Sequence, residues 1–266
     1  MTETRPRAET PEPDAFVDEN VLWARPEMRA GGYGRFDGDI EFYLRINALA
    51  KPHHTVLDFG AGRGSFVEDP CTMRRDLRAL KGKVKHVVGC DIDPVILENT
   101  SVDESVLLKP DEMLPFEKSR FDIVICDWVV EHVENPAAFA LDMSRIVKPG
   151  GWLCARTPNK WGLTGIGARI VPESMQDRLL QRLWPGRNDL DVFPKYYRLN
   201  TMAAIRRAFP ERDWSHASYG YGGEPKYHGN SRFLLMVFAA WNAAAPAVLC
   251  TDLMVFMRKK SARPSG

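Results

Sequence analysis

The chain has 266 residues, enough to bury one full core with an added segment. A hydrophobic content of 44% and a charged content of 27% are ordinary for a globular protein, and a net charge of +1 excludes the basic footprint of a nucleic-acid binder. Five scattered cysteines without a C-x-x-C pair predict a reduced, cytoplasmic protein, and no histidine or cysteine spacing indicates a metal site.

The N-terminal part of the chain predicts a tail followed by a lid. The beginning is acidic, contains prolines and has no apolar run, so we expect no signal peptide and a disordered tail over 1–25. Residues 26–36 combine three glycines with Arg29, Tyr33 and Arg35. We expect this segment to fold over a ligand, an arginine or tyrosine meeting a carboxylate. The alternative is a solvated linker.

The core is predicted to begin with an amphipathic helix from Asp39 to Ala50 and a strand at about 54–59. That strand carries Asp58 and turns at once into alternating glycines: Gly60, Gly62 and Gly64. Bare backbone at such a turn lets a ligand lie against it. Ser65 follows directly, so the third glycine of the dinucleotide pattern is missing. Asp58 would repel a diphosphate and suits a cationic amino group.

A second apolar run ends in Asp91, and an acid at that strand tip is where a ribose diol is hydrogen-bonded. The interval from Gly64 to Asp91 exceeds the roughly 20 residues typical of the dinucleotide pattern, and we expect the charged segment 74–78 to lengthen the first helix. A further strand, 121–127, precedes a helix that Asn135 and a proline open.

Strand five is expected from Trp152 to Arg156, and the alternation of strands and helices predicts a doubly wound parallel sheet. Beyond it we expect a short helix over Thr201–Phe209, a strand over Asp213–Gly222, and a buried helix followed by an antiparallel last strand within Phe233–Met257. Polar residues interrupt that last region too often for a membrane span. An interfacial membrane contact around Trp241 is the alternative.

These expectations divide the chain into six parts: a tail 1–25, a lid and helix 26–50, a ligand-binding core 51–159, a substrate cap 160–212, closing strands and a helix 213–258, and a tail 259–266.

Five motifs, in this order and spacing, resemble the class I S-adenosylmethionine-dependent methyltransferases. They are the glycine turn after Asp58, the acid Asp91, Leu114-Pro115-Phe116, the strand ending in Asp127 with Glu131-His132, and Lys148-Pro149-Gly150-Gly151 with Thr157-Pro158-Asn159. The chain is most similar to the small-molecule branch that includes quinone-biosynthesis methyltransferases. The resemblance implies a Rossmann-like sheet, mostly parallel with an antiparallel last strand and a cap insertion, and S-adenosyl-L-methionine as the cofactor.

The resemblance also implies roles for single residues. Asp58, Gly60 and Gly62 would line the methionine part of the cofactor, and Asp91 would hold both ribose hydroxyls. Asp111 or Glu112 would reach the adenine amino group. The remaining expected cofactor contacts are Tyr33, Ala61, Ile92, Met113 against the adenine ring, and Asp127 with Trp128 beside the sulfonium.

Two residues are candidates for catalysis. His132 follows strand four where the methyl group should lie, so it is the leading base; alternatively it bonds a backbone carbonyl and is structural, as we expect for Glu131. Tyr197, in an aromatic and cationic segment, would stack on the acceptor or shuttle a proton; alternatively it packs within the cap. Cations of the same region would receive an acidic acceptor: Arg187, Lys195 and Arg198.

The sequence therefore predicts methyl transfer to a small or lipid-like acceptor, at an oxygen atom rather than at nitrogen or carbon. If the cations named above bind the acceptor, it would be anionic. A non-catalytic cofactor-binding partner protein is the first rival. A nicotinamide oxidoreductase is the second, and the missing glycine disfavours it.

Overall fold

The computed structural model describes residues 11–110, 112–163, 165–166, 194–224, 228–229 and 231–261. Its centre is an eight-stranded sheet. The strands are β1 (Thr55–Phe59), β2 (His86–Asp91), β3 (Glu104–Leu107), β4 (Phe121–Asp127), β5 (Val147–Pro158), β6 (Trp214–His216), β7 (Tyr219–Tyr221) and β8 (Asp252–Lys259).

The sheet has the order β3-β2-β1-β4-β5-β8-β6, and β7 also pairs with β8. The first five strands run parallel, whereas β8 is antiparallel to β5, β6 and β7. The chain thus winds outward in both directions from β1. This confirms the predicted Rossmann-like, mostly parallel sheet with an antiparallel last strand.

Six helices flank the sheet in the described residues: α1 (Glu19–Ala24), α2 (Gly38–Leu49), α3 (Thr72–Arg78), α4 (Pro136–Ile146), α5 (Met202–Ala208) and α6 (Arg232–Ala244). Side chains that accept the first free backbone N–H groups begin most of them. Asn135 begins α4 in this way, ahead of a proline, as the sequence predicts, and Thr201 begins α5, for which the sequence leaves Asn200 and Thr201 as alternatives.

Alternate side chains of the central strands enter two different hydrophobic clusters. Val56 packs with α2 on one face, whereas Leu57 packs with α4 and α5 on the other. Because side chains alternate along a strand, Asp58 projects to the α2 face, and Asp91 and Asp127 do so at the ends of their own strands. Three acids therefore meet on one face at the carboxyl edge of the parallel strands.

The prediction of a disordered tail over 1–25 is wrong for the described residues 11–25. Asp18 accepts hydrogen bonds from the N–H groups of Asn20 and Val21 and so begins α1. Leu22 in this helix is only 2% exposed. The cap, the buried leucine and the ion pair between Arg25 and Glu224 thus hold in place a segment whose composition indicates disorder.

The expected lengthening of the helix after the glycine turn is also wrong. A short 3-10 turn, Ser65–Glu68, comes first, and α3 then has only seven residues. Pro70 separates the two because proline cannot continue a helix. The extra residues of this interval lie in the turn and in the loop between α3 and β2.

Three further elements differ from expectation. The strand predicted over Asp213–Gly222 is divided into β6 and β7, and β5 begins at Val147 rather than Trp152. The helix α6 is not buried, because Leu235 alone among its described side chains is buried and Phe233 is 75% exposed. Its apolar residues cover more than one face, and all of them except Leu235 are partly or fully exposed.

Part of the predicted cap 160–212 packs within the main core. Leu199, Ile205 and Phe209 are each no more than 2% exposed and belong to the cluster with α4. Most of the remaining predicted cap, 167–193, lies outside the described residues. Within the described ranges, no helix is long and apolar enough to cross a membrane.

Candidate functional site

The glycine turn after β1 places three residues in left-handed backbone conformations. The φ angles are +79° at Gly60, +50° at Gly62 and +73° at Gly64. A Cβ on Gly60 would lie 2.3 Å from the side chain of Val129, and one on Gly64 would lie 2.6 Å from that of Asn99. A Cβ on Gly62 would meet no atom within 4 Å. Gly60 and Gly64 are thus fixed by packing, while Gly62 presents bare backbone at the site.

Asp91 is tied directly to this turn. One carboxylate oxygen accepts the N–H of Gly62 at 2.9 Å, and the other accepts the N–H of Asp93 at 3.0 Å. Each carboxylate oxygen can accept a second hydrogen bond. The two bonds fix the carboxylate beside the turn and leave it acceptor capacity, and its contact with a ribose diol stays a prediction.

Exposed apolar side chains lie beyond Asp91, where the sequence predicts the adenine ring. Ile92 is 49% exposed and Met113 is 70% exposed. Glu112 is also exposed, and Ala61 donates its N–H to the carbonyl of Cys90 in the turn. Their cofactor roles stay predictions. Asp111, the alternative to Glu112, lies outside the described residues.

Asp58 is a carboxyl group in an unfavourable electrostatic environment. Burial raises its pKa from 3.8 to about 6, the Arg78 guanidinium opposes that rise, and the Asp127 and Asp91 carboxylates add to it. A raised carboxyl pKa of this kind is typical of a cation-binding site. A bound cation would offset the cost of burying the negative charge and would reduce the repulsion between the carboxylates.

Asp127 takes part in a buried ion cluster that the sequence did not reveal. Arg156, only 2% exposed, donates to both oxygens of Asp127 at 2.7 and 2.9 Å and to Asp39 at 2.8 Å. The Tyr43 hydroxyl donates to Asp127 at 3.2 Å. These bonds join α2 to the tips of β4 and β5. The Asp127 carboxylate therefore has a structural role, and its contact with the cofactor stays a prediction.

Trp128, next along the chain, has a left-handed backbone with φ +58°, which is unusual for a large side chain. Its N–H donates to the carbonyl of Arg156, and the Arg156 guanidinium lies 5.1 Å from the indole ring. Neighbouring contacts thus maintain a strained turn at the tip of β4, a feature that concentrates at functional sites. Contact of Trp128 with the cofactor stays a prediction.

His132 lies in the 3-10 turn Val130–His132 just after β4. Its Nδ1 is 2.8 Å from the carbonyl oxygen of Pro194, so Nδ1 carries the proton in that hydrogen bond. Burial lowers the pKa of His132. The hydrogen bond to the Pro194 carbonyl acts in the opposite direction, and the positive charge of Lys195 lowers the pKa further. The ring is therefore neutral at pH 7 with its lone pair on Nε2. The hydrogen bond to Pro194 is the backbone contact expected if His132 is structural. It also selects the tautomer with a proton on Nδ1, which a general base acting through Nε2 needs.

Glu131 is buried at 2% exposure in a polar chain of its own. The Thr157 hydroxyl donates to its carboxylate at 2.8 Å, and the Asn200 amide donates to that hydroxyl at 2.8 Å. Burial raises the pKa of Glu131, and the Thr157 bond opposes the rise. These contacts fit the structural role expected for Glu131.

The backbone of Glu131 holds the segment that contains Tyr197. Its carbonyl accepts the N–H groups of Tyr196 and Tyr197, and Tyr197 has φ +51°. The Arg198 guanidinium lies 5.4 Å from the Tyr196 ring. The structure thus brings this aromatic and cationic segment to the turn of His132. Arg187 lies outside the described residues.

The predicted lid, 26–36, packs beside α3. The Gly31 carbonyl accepts the Cys71 thiol, the Gly32 carbonyl accepts Arg74, and a Cβ on Gly32 would lie 2.5 Å from the Phe16 ring. Tyr33 is half-buried in this segment. Its contact with the cofactor stays a prediction.

Known proteins that resemble this chain are methyltransferases. A family model described as "Methyltransferase domain" matches residues 34–214. The ubiquinone biosynthesis O-methyltransferase of Paraburkholderia phytofirmans is 31% identical over 139 residues, covering 46% of this chain and 56% of that protein. The protein of that name from Thiobacillus denitrificans is 29% identical over 161 residues, covering 56% of this chain and 61% of that one. This chain thus spans little more than half the length of these curated relatives.

Among solved structures, a SAM-dependent methyltransferase from Archaeoglobus fulgidus has a TM-score of 0.52 and 14% identity, covering 91% of this chain and all of that one (100%). At that identity the likeness shows the fold alone. The family match covers more than half of the chain, and the glycine turn, Asp91 and Asp58 suit a ligand with a ribose and a cationic amino group but no phosphates. The chain therefore belongs to the methyltransferase-domain family within the class I S-adenosylmethionine-dependent methyltransferases, whose cofactor is S-adenosyl-L-methionine.

Proposed function

We propose that this protein transfers a methyl group from S-adenosylmethionine to an oxygen atom of a small or lipid-like acceptor. The cofactor site would lie between the glycine turn, Asp58 and Asp91, and the acceptor would approach from the side of His132 and Tyr197. The relatives named O-methyltransferases support oxygen as the acceptor atom.

The observation that carries the proposal is the hydrogen bond between His132 Nδ1 and the Pro194 carbonyl at 2.8 Å. Together with the lowered pKa, it keeps the ring neutral and leaves the lone pair on Nε2. A hydroxyl acceptor gains about 10²–10⁴-fold from a positioned base, whereas a neutral amine needs little help. A neutral histidine with its proton on Nδ1, just after β4, therefore favours oxygen over nitrogen as the methyl acceptor.

When bound, S-adenosylmethionine would supply an electrophilic methyl group: the acceptor oxygen would bond to its carbon in line while the carbon–sulfur bond breaks, with S-adenosylhomocysteine as the leaving group. The protein's main task is alignment of the two reactants, which contributes roughly 7–11 kcal/mol in well-oriented systems. His132 Nε2 would accept the acceptor's hydroxyl proton as the oxygen–carbon bond forms. The backbone bonds from Glu131 to Tyr196 and Tyr197 would fix one wall of the acceptor site. Lys195 and Arg198 are exposed in that wall, which suits an anionic acceptor.

The rival function is that of a non-catalytic, cofactor-binding partner protein. Such a protein would need the glycine turn and the strand-tip acids, but it would not need a histidine that can act as a base. The two proposals therefore differ in whether His132 affects a chemical step or only the stability of the protein.

The test is transfer of a deuterated methyl group from labelled cofactor to a panel of hydroxyl compounds, aromatic and aliphatic, with and without apolar tails. Matched amines serve as the comparison set, and mass spectrometry identifies the methylated atom. We expect methyl ethers and no methylated amines. Methylation of amines alone would contradict the proposal, as would cofactor binding without transfer to any member of either set.

A further inference from the structure

Arg78, at the end of α3, lies among the strand-tip acids but bonds them poorly. Its Nη1 is 3.5 Å from Asp39 and its Nη2 is 3.7 Å from Asp127. Its Nε is buried and makes no hydrogen bond to any residue in the described ranges. A buried N–H group without a partner costs free energy, so such groups are rare.

The neighbouring Arg156 explains why Arg78 is left in this state. Arg156 reaches the same two carboxylates, Asp127 and Asp39, at 2.7–2.9 Å. The strong hydrogen-bonding positions are therefore occupied. Arg78 instead contacts the rings of Tyr43 and Phe66, each 5.2 Å from its guanidinium carbon. The aromatic contacts thus orient the guanidinium, but they leave its N–H groups without short hydrogen bonds.

Arg78 is also the largest charged influence opposing the ionisation penalty of Asp58. Asp58 projects to the same face as Asp127 on the neighbouring strand β4, and Arg78 lies 3.7 Å from Asp127, so this cation and the Asp58 carboxylate belong to one group of charges at the ligand site. An amino-acid zwitterion has the complementary pair of charges, with its ammonium and carboxylate on one carbon atom.

We propose that Arg78 and Asp58 together bind the methionine end of the methyl donor, the Arg78 guanidinium receiving its carboxylate and Asp58 its ammonium group. This inference rests on the proposed function only for the identity of the cofactor. It assigns this role to Arg78 rather than to Arg35 of the predicted lid, because Arg35 is 64% exposed and pairs with Glu27. Arg78 needs no lid movement, since it already contacts the ring of Phe66 beside the glycine turn.

The experiment compares two ligands by titration calorimetry: S-adenosylhomocysteine and its decarboxylated analogue, which keeps the amine and lacks only the carboxylate. The proteins are the wild type, Arg78→Met, and Arg75→Met as the control. Arg75 lies one turn earlier in α3 and bonds Thr72 and the Asp69 carbonyl instead of the strand-tip acids. Arg78→Lys serves as a second variant that keeps the charge, and circular dichroism verifies the fold of each.

We expect the wild type and Arg75→Met to prefer the carboxylated ligand by about 10-fold or more, as for a charge-assisted hydrogen bond. Arg78→Met should lose this preference while binding the decarboxylated analogue about as well as the wild type does. Arg78→Lys should retain part of the preference.

Equal loss of affinity for both ligands in Arg78→Met would mean that the residue is structural and would overturn the proposal. An undiminished preference in that variant would also overturn it. If the wild type bound neither ligand, the proposed function itself would fail, which is a separate result from a normal wild type with an indifferent Arg78. Transfer to a hydroxyl compound is not needed for any of these readings.

Discussion

Replacement of Asp58 by Asn should stabilise the ligand-free protein while weakening the binding of the cofactor. An acid whose pKa is raised on folding contributes stability that is present below its unfolded pKa, near 3.9, and is lost as the pH rises through the folded value. For Asp58 that loss occurs between about pH 4 and pH 7, because the folded value is about 6. The difference from 3.8 to about 6 corresponds to at most about 3 kcal/mol, since one pKa unit is worth 1.36 kcal/mol.

Asp58 is not fully enclosed, so solvent screening reduces this figure, and we expect a gain of about 1–2 kcal/mol for Asp58→Asn at pH 7.5. Urea unfolding at pH 4.5, 6 and 7.5 measures it, with the variant's advantage growing as the pH rises. Calorimetry should show weaker binding of S-adenosylhomocysteine by the same variant. A variant that is less stable than the wild type at pH 7.5, or an advantage independent of pH, would refute the assignment of Asp58 as a strained ligand-binding acid.

Three further predictions concern the turn, the base and the lid. Gly60→Ala should lower the free energy of unfolding, measured with urea, by about 1–3 kcal/mol more than Gly62→Ala does. The new methyl group at Gly60 would lie 2.3 Å from the Val129 side chain, whereas one at Gly62 would meet no atom within 4 Å, so equal losses would contradict that packing. His132→Gln should lower single-turnover transfer to a hydroxyl acceptor by about 10²-fold or more with cofactor affinity nearly intact, and near-normal transfer would make His132 structural. Residues 26–36 should gain hydrogen-exchange protection when S-adenosylhomocysteine is added, and unchanged exchange would leave this segment a linker.

The central sheet could be predicted from the sequence because its signals are local. Apolar runs that end in Asp58 and Asp91, and glycines at every second position, specify strand ends and a sharp turn without reference to the rest of the chain. The caps of α4 and α5 are equally local, since Asn135 and Thr201 bond N–H groups only two or three residues away.

The ion cluster could not be predicted in this way, because its members are far apart in sequence. Arg156 and Asp39 are 117 residues apart, and their contact depends on α2 crossing the ends of β4 and β5. A pattern of charges along the chain carries no information about such a pairing. The cluster gives Asp127 a structural role as the partner of Arg156, and it leaves Arg78 with the longer contacts to the same acids.

The exposed side of α6 had a different cause. A thirteen-residue helix with an almost wholly apolar sequence predicts burial on all sides, yet α1 packs against only part of it and Leu235 alone among its described side chains is buried. Composition determines how much apolar surface a helix has, but neighbouring elements determine how much is covered. The tail prediction failed in the opposite direction, since the single buried Leu22 anchors α1 within a polar segment.

The most direct test of the account is calorimetric titration of the wild type and Asp91→Ala with S-adenosylhomocysteine and with NAD. Asp93→Ala is the matched control, because Asp93 bonds the backbone N–H of Val95 beyond the strand tip. We predict one-to-one binding of S-adenosylhomocysteine by the wild type and the control, and no binding of NAD. In Asp91→Ala the affinity should fall by about 10-fold or more, as expected for the loss of charge-assisted bonds to the ribose hydroxyls. Binding of NAD by the wild type, or unchanged affinity in Asp91→Ala, would contradict the cofactor site described above.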